Sequence, residues 1–242
     1  MKEGEKKLNV CDIRVTEMND SESYRTVYSM IQKEIAARLE QDGVILLDRD
    51  SCHFDWQVKI GSGTVVHPMN ILSGNTVIGK NCTLYAYCDL TDTTVGEGTD
   101  LRSTYAVSAK IGSDCTLGPY TCLRKGANIA DCCRVGDFVE IKNSTLETGV
   151  KAAHLAYVGD SYVGEHTNIG CGTVFANYDG KVKRSVIVGK KVFIGCNTNL
   201  VAPLQVEDGA YIAAGSTVTQ DIPAGKLCIA RARQVHKERK NL

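Results

Sequence analysis

The sequence predicts an all-β parallel solenoid preceded by one helix, and three observations carry that prediction. An aliphatic residue recurs every sixth position, glycine often follows it, and one amphipathic stretch lies outside the period. Leu117, Leu123, Ile129, Val135 and Ile141 are spaced by six, as are Val188, Ile194, Leu200, Val206, Ile212 and Val218. Looser rungs come earlier: Ile60, Val66, Leu72, Ile78, Leu84, Leu90, Val95, Leu101 and Val107. Six is neither the helical period nor simply the strand's two, and self-similarity at a fixed period marks a repeat architecture. Each hexad reads as a short strand plus a turn, with the aliphatic side chain inward and glycine, Asn or Asp admitting the φ > 0 turn conformations. Three hexads close one triangular coil, and neighbouring coils pair as parallel strands about 4.8 Å apart. Residues 56–222 form the repeat domain on this reading, with roughly nine coils between 56 and 220.

Two segments depart from the period. From Asn19 to Gly43, "NDSESYRTVYSMIQKEIAARLEQDG" places Tyr24, Val27, Tyr28, Ile31, Ile35 and Leu39 on one helical face between a polar N-cap and a glycine stop. This helix and its connector, residues 19–55, are expected to cap the open end of the stack. "ANYDGKVKRS", residues 176–185, breaks the rhythm between Phe175 and Val188, and a solenoid expels such an insertion as a loop. Residues 1–18 receive no assignment, and 223–242 read as a basic tail whose "RARQVHKERK" is by default a solvated end but could reach an anion.

Composition excludes several classes of function. Lys plus Arg and Asp plus Glu number 28 each, so no basic footprint points to nucleic acid. No run approaches the roughly 18 apolar residues of a membrane span, and "MKEGEKKLNV" lacks a signal peptide's apolar core, which leads to an expected cytoplasmic location. Eleven cysteines, an odd number without a Cys-x-x-Cys, read as reduced thiols packed at repeat positions. The five histidines, at 53, 67, 154, 166 and 236, show no ligand spacing, so no metal is expected. Phosphate-loop and nucleophile-elbow motifs are missing as well.

An unbroken period of six turns spacing into geometry. Arg124 and Lys142, 18 apart, fall one above the other on adjacent coils, where like charges repel unless an anion joins them. The alternative is a pair of solvated cations near Glu140. Cys196 and Ala214 stack in the same way and form a smooth strip, which by itself is packing. His154 stands among small residues in "KAAHLAYVGD", either as a structural histidine or as the group best suited to take a proton near neutral pH.

"VGDFVEIKNS", "KAAHLAYVGD", "VGEHTNIGCGTVFANYDGKVK" and "VAPLQVEDGAYIAAGSTVTQDI" resemble, in order and spacing, the acetyltransferase domain of the bacterial bifunctional N-acetylglucosamine-1-phosphate uridyltransferase and glucosamine-1-phosphate acetyltransferase. The resemblance runs from about residue 19 to 235. It implies a left-handed parallel β-helix, a homotrimer with sites between subunits, and acetyl transfer from acetyl-CoA to the amine of glucosamine 1-phosphate. Carried over, His154 is the general base, with Glu140 or a backbone carbonyl orienting it. Arg124, Lys142, Tyr157, Asn168, Asn177 and Lys183 hold the sugar phosphate, and Cys171, Tyr178, Cys196, Ala214 and Arg231 contact acetyl-CoA. Cys171 stands where the family commonly has alanine and Cys196 where it has serine. The uridyltransferase domain and its Gly-rich loop have no counterpart here, so the uridylyl step is expected to fall to a separate uridyltransferase, and no metal is needed for acetyl transfer. Two rival readings remain: an acetyltransferase for another amino sugar phosphate, and a non-catalytic trimeric scaffold.

Overall fold

The computed structural model describes residues 20–237. Thirty short strands wind about ten times around a single core and form three parallel sheets of 11, 10 and 9 strands, one per side of the triangle. Pairing between consecutive coils is parallel and in register, as in Leu117↔Val135, Leu123↔Ile141 and Ile111↔Ile129 on the three sides. The predicted rungs point inward: Leu84, Leu101, Leu117, Leu123, Val135, Ile141, Val188, Ile194, Leu200 and Ile212 are fully buried. One rung differs, because Ala106 rather than Val107 fills the core where a coil is shortened to 16 residues between Leu90 and Ala106.

The corners hold the coils together through side chains. Buried Thr64 donates to the Gly79 carbonyl at 2.9 Å and accepts from the Cys82 amide at 3.1 Å, and Asn70 accepts from the Cys88 amide at 2.8 Å. Such bonds satisfy turn amides that no strand partner reaches. Cysteine takes the same corner positions. The thiols of Cys82, Cys115 and Cys133 donate to the carbonyls of Gly96, Ala130 and Glu147 on the next coil, at 3.1, 3.1 and 3.2 Å. Burial pushes the Cys88 thiol up to about 11, so it is inert as a nucleophile near neutral pH.

The N-terminal helix spans Ser21–Gln41 and is capped by Asp20, whose carboxylate accepts from the amides of Glu22 and Ser23 at 3.0 and 2.7 Å. Its C-terminal half covers the stack: Ile35, Ala36 and Leu39 are buried and Gln32 bonds the Phe54 backbone, whereas Tyr24, Tyr28 and Ile31 on the expected apolar face remain exposed. Strands begin at Ile45–Leu46, ahead of the expected start at 56, and the last, Leu227–Cys228, pairs with Tyr211–Ile212 inside the stretch read as tail. Each end thus carries a further partial coil that the six-residue rhythm does not display. A single strand added to an existing edge, as Ile45–Leu46 is to Val65–Val66, needs no second rung of its own to pair.

Candidate functional site

The site region lies across a change in coil length. The interval between paired core residues falls from 18 at Leu123↔Ile141 to 17 at Ile141↔Val158 and Val135↔Ala152. The rhythm does not slip at His154 itself: Leu146, Ala152 and Val158 are all buried, and the inward residue there is simply small. The strand Lys151–His154 then carries the histidine to an exposed corner, in direct register with Asp137 one coil earlier. His154 Nδ1 lies 2.5 Å from Asp137 Oδ1. The hydrogen bond from His154 holds the Asp137 carboxyl below its ordinary range, and because a carboxylate only accepts, Nδ1 is the donor in this contact.

Glu140, expected as the candidate orienting carboxylate, is not the partner of His154. It binds Arg124, Nη1 to Oε1 at 2.9 Å. The reason is register: Asp137 shares a corner with His154, whereas Glu140 lies on the next side of the triangle, paired with Cys122 and Tyr157. Asp137 was legible only by counting one 17-residue coil back from His154.

The second side of the triangle carries the cations. Arg124 and Lys142 follow the paired core residues Leu123 and Ile141, as expected, and Lys142 pairs with Gly159 on the coil after. Lys183 stands beside Lys142, and its contact and charge pull the Lys142 ammonium below the usual lysine value of 10.5, with Arg124 adding to the effect. Asp160 counters them. Partial burial raises its proton affinity, but the amides of Asn143 and Asn177, donating at 2.7 and 2.5 Å, and then Lys183 and Lys142 outweigh burial and keep the carboxyl below its ordinary range. Gly159 makes room for this cluster. A Cβ there would stand 2.5 Å from the Tyr157 hydroxyl oxygen and 2.8 Å from Asn177 Nδ2.

The insertion forms a small hairpin. Tyr178 and Lys183 face each other as an antiparallel bridge, the Arg184 amide donates to the Asn177 carbonyl at 2.8 Å, and Asp179 Oδ1 accepts from the amides of Lys181 and Val182 at 2.8 and 2.7 Å. Gly180, with φ 93°, admits the tight turn. Its closure returns Lys183 to the Lys142 coil. The Tyr178 hydroxyl donates to the Gly180 carbonyl at 2.7 Å, within the same hairpin.

The remaining assigned residues follow one corner. Ala152, Ile169, Ile194 and Ile212 pair successively, and His154, Cys171, Cys196 and Ala214 each come two residues later. Arg231 ends the column, its Cδ within 3.9 Å of where a Cβ on Gly215 would lie. Asn168 is not brought to the cation cluster: it lies on the first side, between Lys151 and Phe193, rather than on the second with Lys142 and Tyr157. Among the described residues no group of three His, Cys, Asp or Glu side chains converges as a metal site. No described helix is long and apolar enough to cross a membrane.

No family model matches the chain. It is 47% identical over 212 residues to the bifunctional protein GlmU of Clostridium acetobutylicum, covering 88% of this chain and 46% of that one. To the bifunctional protein GlmU of a Geobacillus species it is 42% identical over 221 residues, covering 91% and 48%. The chain therefore spans about half the length of the curated relatives it matches and is homologous to that half. Among solved structures, the Francisella novicida UDP-N-acetylglucosamine acyltransferase is similar with a TM-score of 0.46 at 14% identity, over 76% of this chain and 66% of that one.

Proposed function

We propose that this chain, a homologue of about half of the GlmU proteins, is an acyltransferase that moves acetyl from acetyl-CoA to the amine of glucosamine 1-phosphate. The observation that carries the reading is the pairing of two devices on adjacent sides of the same coils: a histidine–carboxylate dyad, and a cluster of Arg124, Lys142 and Lys183 whose cations crowd one another. Crowded like charges are held at a cost that a bound phosphate relieves, with Arg124 offering a planar fork and the lysines point charges.

On this reading the neutral amine attacks the thioester carbonyl directly. Nε2 of His154 takes the amine proton, Asp137 stabilises the resulting imidazolium through Nδ1–H, the C–S bond breaks, and CoA leaves as a thiolate that is then protonated. The column Cys171, Cys196, Ala214 and Arg231 lies below the base on the same corner and provides a track for the donor. The product, N-acetylglucosamine 1-phosphate, suits uridylylation toward UDP-N-acetylglucosamine, with a uridyltransferase as the consuming partner.

A homotrimer in the cytoplasm is part of the proposal. Phe138 and Leu155, the residues following the dyad, are 58% and 55% exposed and hold φ of 55° and 45°, and Tyr120 stacks on Phe138 at 5.4 Å. Bulky apolar side chains held exposed at strained corners beside the base favour a second copy covering them. Thiol release from acetyl-CoA, compared across glucosamine 1-phosphate, glucosamine 6-phosphate and glucosamine, tests the reading. Turnover confined to the 1-phosphate is expected; equal turnover with unphosphorylated glucosamine would remove the phosphate role of the cluster.

A further inference from the structure

Ten described cysteines are free thiols; five bond backbone through sulfur and five do not, the latter being Cys122, the exposed Cys132, Cys171, Cys196 and Cys228. Cys52, Cys82, Cys88, Cys115 and Cys133 are buried corner residues whose thiols donate to backbone carbonyls. Of the unbonded five, Cys171, half-buried, and Cys196, exposed, are set apart by their place. They occupy the same corner on consecutive coils, two residues beyond the paired Ile169 and Ile194, and the Asn197 amide donates to the Cys171 carbonyl at 2.7 Å to fix that register. The backbones approach closely here, since a Cβ on Gly170 would lie 2.7 Å from the Cys196 nitrogen. The strands that lead into these two corners run about 4.8 Å apart, and a separation of that order falls within the roughly 4.4–6.8 Å Cα distance that a disulfide spans.

We propose that Cys171 and Cys196 form a disulfide-exchange site that takes low-molecular-weight disulfides, CoA disulfide above all. The preference for CoA rests on the donor track of the preceding section; the exchange chemistry does not. The exposed Cys196 thiolate attacks one sulfur of the disulfide, forming a Cys196–S–S–CoA bond and releasing one CoA thiolate. The Cys171 thiolate then attacks the Cys196 sulfur, forming Cys171–S–S–Cys196 and releasing the second CoA thiolate. Two protein thiols are oxidised, one small disulfide is reduced to two thiols, and the two thiol protons pass to the released thiolates. The closed disulfide stands in the donor column and blocks it.

The full chain, reduced and freed of reductant, is incubated in its native state with CoA disulfide or with oxidised glutathione, quenched in acid, and read by intact mass and peptide mapping. The expected result is loss of two hydrogens with a Cys171–Cys196 crosslink, formed faster with CoA disulfide and slowed by acetyl-CoA. Cys171→Ala should stop at one CoA adduct on Cys196, and Cys196→Ala should leave position 171 without a crosslink. Cys171 and Cys196 both recovered as free thiols, while Cys132 is modified, would overturn the proposal, as would crosslinks of either residue to other cysteines. Crosslinking at equal rates with both disulfides and no effect of acetyl-CoA would keep the exchange site but overturn its preference for CoA and the donor track with it.

Discussion

The coils between Val58 and Val135 and those between Gly136 and Val188 share one core, yet they are built to different rules. In the first group the inward rungs are aliphatic or alanine, corners are closed by Thr, Asn or Cys bonded to backbone, and the inward side chains stack for packing alone. In the second the backbone-bonded corners continue at Ser144, Ser161 and Thr173, but a hairpin is expelled and polar side chains bond to one another across coils: His154 to Asp137, Asn143 and Asn177 to Asp160, with Glu140 reaching back to Arg124 in the first. Both regions place bulky apolar side chains at exposed φ > 0 corners, Tyr87 and Tyr120 in the first and Phe138 and Leu155 in the second, but the second also crowds like charges that their neighbours stabilise. Strain of this kind persists where the surrounding structure determines it.

Mutations in the two regions should therefore fail in different ways. His154→Ala is expected to lower kcat by about 10² to 10⁴, the range of a general base, without shifting Tm. Leu101→Ala, in the regular region and fully buried, should cost about 2–5 kcal/mol of stability while the folded fraction retains its kcat; denaturant unfolding and activity per folded molecule check both halves.

Lys183→Ala should raise KM for the sugar phosphate roughly tenfold or more, as the loss of a charge-assisted bond, and should also change its pH dependence. In the native chain Lys142 is depressed by Lys183, so anion affinity is full while Lys142 is protonated and is lost as pH rises through that lowered value. With Lys183 removed, the loss should move to higher pH, which KM measured across alkaline pH will show. The smallest effect belongs to Asp137→Asn. The amide still accepts from Nδ1, but the charge that steadies the imidazolium is gone, and kcat should fall by roughly fivefold, the scale of one exposed ion pair.

The same contrast decides what the sequence revealed. Where rungs repeat, Leu117 to Ile141 and Val188 to Val218, inward positions could be read directly, because only a buried side chain repeats at the coil interval. Ala106 escaped because a coil lost residues and the inward residue was too small to stand out from Val107. The exposed half of the helix was overread: Tyr24 and Ile31 share a face with Leu39, but the stack ends before reaching them. Lys142 beside Arg124 followed from spacing, whereas Lys183 beside Lys142 depends on a hairpin closure that no period encodes. Asp137 was hidden for a related reason: Glu140 is nearer in sequence to the cations and equally acidic, and only the 17-residue register separates the partner of His154 from the partner of Arg124.

The central claim is that the two devices act on one acceptor, and product analysis tests it most directly. Purified protein is given acetyl-CoA and glucosamine 1-phosphate, and free CoA and N-acetylated sugar phosphate are followed together by mass. The account predicts one N-acetylglucosamine 1-phosphate for each CoA released, with negligible release when the sugar is omitted. CoA release that proceeds equally without the sugar, or a folded protein that forms no N-acetylated product, would contradict it.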